Sequence, residues 1–325
     1  MTRALVLGGG GPVGIGWESG LAVGLANGGV DLSAADAIYG TSAGAFVGAQ
    51  LALGFDIAAT AALLLETSAK AVADRGGASI MQGLQALTDV LRAAVVAGTP
   101  PDEVRRSLGS LALEADVVSE DDFVELFSVM KGQAWPERFH CTAVDTATAE
   151  FVVWKAGSGA DLQRAVASSC AVPMVCPPIT IGGRRYMDGG VRSPLNADLA
   201  RGHDRIVVIS VTILSEPGPS EPGLSESGVP EPGLSRPDLS GSGLSQSGDP
   251  PGSGPNTIVP YLNSELWALK TSGAAVEVIE PGAEFLEVSG WGATLMDPSK
   301  AGEAFLAGAR QGLEESRRIA GLWEG

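Results

Sequence analysis

Short apolar runs alternate with longer helix-like stretches along most of the chain. Seven segments have the length and residue types of strands and lie at 3–7, 37–40, 139–145, 150–154, 179–188 (a hairpin), 205–212 and 276–279. Stretches of helical period, broken at glycine and proline, predict helices near 17–26, 45–53, 58–73, 79–97, 101–113, 121–130, 162–167, 257–271 and 299–320. The segment 205–212 is almost wholly apolar, which is typical of a parallel strand buried on both faces.

One stretch breaks this alternation. Between residues 216 and 255 the chain repeats a five-residue theme, and Glu-Pro-Gly-Leu-Ser occurs at both 221–225 and 231–235. Proline, glycine and serine at this density cannot form a packed core. We therefore expect 216–255 to be a disordered, low-complexity insertion within one domain that spans 1–325.

Composition and charge narrow the classes of function. A chain of 325 residues with 45% hydrophobic content can bury a substantial core. Its formal net charge of -17 argues against binding to nucleic acid and against electrostatic docking on an anionic membrane. Any transient contact with a membrane surface would have to be apolar and local. The oligomeric state cannot be inferred from the sequence.

The cysteines indicate the compartment. Cys141, Cys170 and Cys176 are odd in number, lack C-x-x-C spacing and lie in apolar surroundings, so we expect reduced, buried thiols and no metal site. The first residues pass directly into a strand and a glycine run, without the apolar core and cleavage site of a signal peptide. These features predict a cytoplasmic protein.

A G-x-S-x-G sequence at 40–44 follows an apolar run and leads straight into a helix-like stretch. In a strand, sharp turn, helix unit, this spacing presents one serine hydroxyl at the N-terminus of the helix. We interpret Ser42 as a nucleophile. The alternative is a glycine-rich turn in which the serine only caps the helix.

A glycine run after the first strand admits two interpretations. In the first, the backbone N–H groups of Gly9, Gly10 and Gly11 stabilise the negative oxygen that forms when Ser42 attacks an ester carbonyl. In the second, the run is a dinucleotide fingerprint that holds a pyrophosphate. The second requires an acidic residue at the end of the next strand, but Asp31 precedes that strand.

A serine nucleophile needs a base, and the chain has only two histidines. His140 lies in the middle of an apolar strand, and His203 lies in a polar loop where an exposed position is expected. A carboxylate that acts directly on Ser42 is the remaining choice. Asp188, at the end of a strand and followed by two glycines, is the best placed by local structure, although Asp-Gly-Gly is also a common turn.

These segments together resemble the patatin-like phospholipases. The resemblance rests on ordered motifs, namely the glycine run 9–14, G-T-S-A-G at 40–44, Ala167-Ser168 with Pro173 and Pro177, and Asp188-Gly189-Gly190. It covers the chain from Ala4 to about Asn196. One residue departs from the family: many members carry Arg or Lys just before the last glycine of the run, where this chain has Val13.

The resemblance implies an α/β fold of three layers, in which a mostly parallel central sheet is flanked by helices. It implies a Ser42–Asp188 dyad without histidine, an oxyanion hole at Gly9, Gly10 and Gly11, and no metal or other cofactor. Family members are hydrolases of phospholipids and other acyl esters that work through an acyl-enzyme. The helices between 56 and 129 would cover the sheet or, alternatively, form a mobile apolar lid over an acyl-chain pocket.

We therefore predict an enzyme of the phospholipase A, lysophospholipase or lipid esterase type. Its substrate would be a lipid or another acyl ester, and the headgroup, the chain length and the choice between hydrolysis and acyl transfer stay open. Two alternatives from other classes are a catalytically silent lipid-binding or scaffold protein and a dinucleotide-binding oxidoreductase.

Overall fold

The computed structural model describes residues 1–57, 59, 78–214 and 258–323. Within these ranges, one eight-stranded sheet lies between two layers of helices, which confirms the predicted three-layer α/β fold. The strands are Arg3–Leu7 (β1), Ala37–Gly40 (β2), Phe139–Asp145 (β3), Phe151–Trp154 (β4), Ile179–Ile181 (β5), Arg184–Asp188 (β6), Arg205–Ile209 (β7) and Ala275–Ile279 (β8). The helices are Gly11–Asn27 (α1), Ala43–Leu53 (α2), Ala78–Ala97 (α3), Pro101–Glu114 (α4), Glu120–Glu125 (α5), Leu162–Ser169 (α6), Ile258–Thr271 (α7), Ala283–Val288 (α8) and Ala301–Trp323 (α9).

The sheet is parallel in its centre and antiparallel at one side. Strands β3, β2, β1, β7 and β8 are neighbours in that order and all run in the same direction. Strand β3 also pairs in antiparallel fashion with β4 and with β6, and β6 pairs with β5. The mixed, largely parallel sheet thus agrees with the fold class implied by the sequence.

One edge of β3 pairs with β2 along its first residues and with β6 along its last residues. Cys141 is paired with Gly40 of β2 on one edge and with Trp154 of β4 on the other. Ala143 is again paired with β4, and its partner on the remaining edge is Asp188 of β6. Because β6 is antiparallel to β3, its last residue meets the end of β2. This fork positions the candidate site.

Side chains alternate between the two faces of β1 and β7, as expected for strands buried on both sides. Leu5 and Leu7 face a large core that includes side chains of α1, α2 and α9. Ala4 and Val6 face a smaller core built with α7. A third cluster, around Val144 and Met187 of β3 and β6, involves side chains of α3 and α4.

Helices α1 and α9 pack at unusually short distance. Gly16, Gly20 and Gly24 of α1 lie one turn apart, and a Cβ atom at any of them would overlap backbone of α9. Likewise, a Cβ atom at Gly308 or Gly312 of α9 would overlap backbone of α1. Glycine therefore recurs here because two backbones touch, although glycine lowers helix propensity.

Some predicted boundaries were wrong. Helix α1 begins at Gly11 rather than near residue 17, because Pro12 favours a helix start and contact with α9 holds the glycines in the helix. Strand β7, predicted over 205–212, ends at Ile209, because the Ser210 hydroxyl donates to the carbonyl of Thr212 (2.7 Å) and turns the chain.

Other elements were misjudged or cannot be compared. The helix expected at 121–130 is α5 followed by a separate 3₁₀ turn at Ser128–Met130, and the short α8 was not predicted. The helix predicted at 58–73 lies almost wholly outside the described residues, and the insertion at 216–255 lies entirely outside them. None of the helices in the described part of the chain is long and apolar enough to cross a membrane.

Candidate active site

Ser42 occupies a strained turn between β2 and α2. Its backbone has φ 54° and ψ −118°, which an L-residue rarely adopts. The glycines of the motif permit this turn: a Cβ atom on Gly40 would overlap the carbonyl of Gly44, and one on Gly44 would overlap the carbonyl of Leu7. The G-x-S-x-G spacing is thus required by backbone contacts on both sides of Ser42.

Two residues at the C-terminal end of α6, Ser169 and Cys170, hold the Ser42 backbone in place. The Ser42 N–H donates to Oγ of Ser169 (3.0 Å), and the Cys170 thiol donates to the Ser42 carbonyl (3.1 Å). Ser42 is 7% exposed. These contacts could not be predicted from the sequence, because Ser169 and Cys170 lie more than 120 positions from Ser42.

Asp188 is the last residue of β6 and lies near Ser42. Its carboxyl is 4% exposed and accepts the N–H of Gly190 (2.7 Å). Burial raises the pKa of Asp188 from 3.8 to about 7, although the Gly190 N–H and the nearby Ser42 side chain oppose the shift. The two residues predicted as nucleophile and base therefore lie near each other, and a pKa of about 7 lets Asp188 take up a proton near neutral pH.

The glycine run lies beside Ser42 but offers fewer free donors than expected. A Cβ atom on Gly9 would be 3.4 Å from Cβ of Ser42, so the run passes close to the hydroxyl. However, the Gly9 N–H donates to the carbonyl of Pro194 (2.8 Å), so it is not directed at a substrate oxygen. Gly10 and Gly11 begin α1, where backbone N–H groups have no acceptor within the helix. The candidate oxyanion donors therefore narrow to Gly10 and Gly11.

A cavity of about 510 Å³ opens beside Ser42. This volume lies within the range of pockets that hold small organic ligands. Most of its walls are apolar, and they include Ile15, Ile80, Val118, Phe123, Leu126, Phe127, Val172, Val175 and Met296. Part of the wall comes from α5 and its neighbouring turns, in the region for which the sequence indicated only a cover or a lid.

Both histidines lie against one aromatic side chain of β2. The Tyr39 ring stacks on His140 (4.9 Å between centroids) and meets His203 edge to face (6.0 Å). Burial lowers the pKa of His140, and its Nδ1 atom is buried without a hydrogen-bond partner. Nδ1 of His203 lies 3.0 Å from the carbonyl of Ala200. That neither histidine serves as the base thus stays a prediction.

The cysteines are free thiols in the interior. Cys141 and Cys176 are buried and Cys170 is half-buried. Burial raises the pKa of all three thiols, that of Cys176 to about 12. Cys170 and Cys176 line the cavity beside Ser42. Within the described ranges, His, Cys, Asp and Glu form no group of three that could hold a metal ion.

The fold and this site define an α/β protein with a serine on a sharp turn between a parallel strand and a helix. The chain belongs to the patatin-like phospholipase family, whose sequence description matches residues 5–201. Membership supports lipid acyl hydrolase activity in general terms.

Among solved structures, the chain is similar to VipD from Legionella pneumophila, with 15% sequence identity and a TM-score of 0.36. The match covers 66% of this chain and 51% of VipD, so the chain spans about half the length of that protein. No curated protein matches the sequence.

Proposed function

We propose that the protein is a serine hydrolase that cleaves carboxylic esters of lipids, with Ser42 as nucleophile and Asp188 as base. The observation that carries the proposal is the proximity of the Ser42 side chain to the buried Asp188 carboxyl, whose pKa it lowers, beside an apolar cavity that Ser42 lines. A serine with a nearby base and a bordering cavity has the groups that nucleophilic catalysis requires.

Acylation begins when the Asp188 carboxylate accepts the proton of the Ser42 hydroxyl and Oγ attacks the ester carbonyl carbon. The carbonyl oxygen becomes negative and accepts hydrogen bonds from the N–H groups of Gly10 and Gly11. The intermediate then collapses and expels the alcohol, which takes the proton from Asp188. The acyl group remains on Ser42.

Deacylation repeats these steps with water as the nucleophile. Asp188 accepts a proton from the water, whose oxygen attacks the acyl carbon. Collapse of the second intermediate releases the carboxylic acid and returns the proton to Ser42. Because Asp188 must be ionised to accept a proton and its pKa is about 7, the rate should rise as pH increases through 7.

The cavity supports an acyl chain as the group bound next to Ser42. Aromatic and aliphatic side chains such as Phe123, Phe127 and Val175 would bury the chain and exclude water from the acyl-enzyme. Val13, where many relatives carry a cation, is fully buried and donates its N–H to the carbonyl of Leu295 (3.2 Å). That position therefore supplies no positive charge for a headgroup.

The test compares hydrolysis of p-nitrophenyl octanoate and a monoacylglycerol by the wild type, Ser42→Ala, Asp188→Asn and His203→Ala. Loss of nucleophile or base should lower kcat by at least about a thousandfold. The kcat of His203→Ala should stay within about twofold of the wild-type value, because the His203 ring contacts Tyr39 and the carbonyl of Ala200, and neither is a proposed catalytic group.

Three results would contradict the proposal. Collapse of activity in His203→Ala would indicate a triad with histidine as base. A folded wild type as inactive as Ser42→Ala on both esters would indicate a catalytically silent lipid binder. Stabilisation by NAD(P) or FAD against thermal unfolding would instead favour a dinucleotide-binding oxidoreductase.

A further inference from the structure

A buried asparagine lies behind the two proposed catalytic residues. Asn196 is fully buried and has a left-handed backbone, with φ 50° and ψ 39°. Asparagine is one of the few residues besides glycine that tolerate this conformation. It lies eight positions after Asp188, in a segment between β6 and β7 that Ser193 holds through bonds from the N–H groups of Leu195 (3.2 Å) and Asn196 (3.0 Å).

The Asn196 side chain bonds both catalytic loops. Its Nδ2 donates to Oγ1 of Thr41 (3.0 Å), the residue before Ser42. The same nitrogen lies within hydrogen-bond distance of the carbonyls of Gly189 (3.3 Å) and Ser193 (2.7 Å), and Gly189 is the residue after Asp188. One amide group therefore contacts the turn that carries the nucleophile and the turn that carries the base.

The orientation of this amide is fixed on its other side. Oδ1 of Asn196 accepts a hydrogen bond from Nη1 of Arg192 (2.7 Å), and the Arg192 guanidinium also pairs with Asp198 (2.7 Å) and lies over the ring of Phe151 (4.4 Å). A guanidinium only donates, so the carbonyl oxygen of the amide must face it. The NH₂ group must then face Thr41.

A second threonine completes the contact. Oγ1 of Thr41 and Oγ1 of Thr142 are 2.9 Å apart, and both side chains are buried. A Cβ atom on Gly189 would overlap Thr142, so the turn after the base is packed directly against this hydroxyl. Thr41, Thr142, Gly189 and Asn196 thus form one compact polar cluster, which we call the Asn196 cluster.

The segment around Asn196 also reaches the glycine run and α7. The Pro194 carbonyl accepts the N–H of Gly9 (2.8 Å), and Oε2 of Glu265 on α7 accepts the N–H of Ala197 (2.9 Å). The segment is therefore anchored from a helix that lies outside the 5–201 family match. The segment therefore contacts the turn that carries Ser42, the turn after Asp188 and the glycine run.

We propose that Asn196 is a positioning residue that fixes the Ser42 hydroxyl relative to the Asp188 carboxyl by bonding Thr41 and Gly189. The proposal rests on the proposed function. The Asn196 side chain bonds Thr41 and Gly189 rather than Ser42 or Asp188, so it acts through the two turns. Small displacements of a nucleophile from its base lower the rate of the chemical step more than they weaken substrate binding.

The experiment uses two independent disruptions of the same bond. Asn196→Gly removes the amide, and glycine adopts the left-handed backbone without strain. Thr41→Val removes the acceptor while Asn196 stays, and Thr41→Ser restores a hydroxyl at that position. Gln163→Ala is the matched control, because it deletes another buried amide, one that donates to the carbonyl of Val124 (2.9 Å).

Each protein is assayed for kcat and KM on p-nitrophenyl octanoate and for its rate of labelling by a long-chain fluorophosphonate. Asn196→Gly and Thr41→Val should each lower kcat and the labelling rate between about tenfold and a hundredfold, with KM within about twofold. The double variant should lower kcat by less than the product of the two single effects, because the bond between Asn196 and Thr41 is lost in both single variants. Thr41→Ser should recover most of the rate, and Gln163→Ala should keep it.

Other results would overturn the inference. A folded Asn196→Gly protein with wild-type kcat would do so, as would a Thr41→Ser protein as slow as Thr41→Val. If Asn196→Gly does not fold, the Thr41→Val and Thr41→Ser pair decides, since both retain the asparagine. A wild type that the fluorophosphonate does not label at all would contradict the proposed function itself, which distinguishes the two failures.

Discussion

Replacing Asp188 by asparagine should stabilise the folded protein at neutral and alkaline pH while it abolishes catalysis. The carboxyl is 4% exposed, and burial raises its pKa from 3.8 to about 7. At about 1.4 kcal/mol per pKa unit, a shift of roughly three units means that the ionised side chain costs about 4 kcal/mol of folding free energy above pH 7. Asparagine occupies the same space without this charge.

The sign of the pH dependence follows from proton binding. Between pH 3.8 and about 7 the folded state keeps a proton on Asp188 that the unfolded chain has lost, so this group lowers the free energy of unfolding as pH rises. Below this window the carboxyl is protonated in both states. The gain in Asp188→Asn should therefore be near zero at pH 4 and reach its full value by pH 8.

Thermal unfolding of the wild type, Asp188→Asn and Ser42→Ala at pH 4, 6 and 8 measures this difference. At roughly 2 °C per kcal/mol for a chain of this size, Asp188→Asn should unfold about 8 °C above the wild type at pH 8. Ser42→Ala is the control, because it also abolishes catalysis but retains the buried carboxyl. An Asp188→Asn protein that is no more stable than wild type at pH 8, or equally stabilised at pH 4, would refute the reasoning.

Three further predictions concern packing, strain and substrate charge. Gly20→Ala should lower the free energy of unfolding by about 3 kcal/mol in denaturant titrations, because the new Cβ atom would overlap the backbone of α9. Gly321→Ala is the control and should raise the free energy of unfolding by up to about 1 kcal/mol, because no atom lies within 4 Å of its Cβ position. Equal effects of the two substitutions would contradict the close packing. Ser42→Gly should be about 1 kcal/mol more stable than Ser42→Ala at φ 54°, and the reverse order would show that the turn is unstrained. The described cavity walls include the carboxylates of Asp116 and Asp122 and no Lys or Arg. A monoacylglycerol should therefore be hydrolysed about threefold to tenfold faster than its phosphate-bearing counterpart, which these carboxylates repel. Asp116→Asn should bring the two rates closer together, and an unchanged ratio of rates would contradict the electrostatic reason.

Local features of the fold could be predicted from the sequence because their causes are local. The strands at 3–7 and 139–145 match the observed bounds, since each is a short apolar run between breakers. The position of Ser42 on a turn between β2 and α2 follows from the two flanking glycines. In contrast, the start of α1 depends on contact with α9, nearly 300 positions away, which local propensity cannot show.

The parts of the candidate site that escaped prediction come from long-range pairing. Asp188 could be picked out as a strand end, but only the fork at β3 brings it to the end of β2. The donation from Gly9 to Pro194, which narrows the candidate oxyanion donors, is likewise a contact between distant segments. Met296, which lines the cavity, lies beyond the part of the chain in which motifs could be recognised.

Intact-mass spectrometry after treatment with a long-chain fluorophosphonate tests the central claim most directly. An activated Ser42 displaces fluoride from the reagent, so the wild type should gain the mass of one phosphonyl group, Asp188→Asn should gain it far more slowly and Ser42→Ala should gain none. Folded wild-type protein without an adduct, or an adduct that persists in Ser42→Ala, would contradict the assignment of Ser42 as the nucleophile.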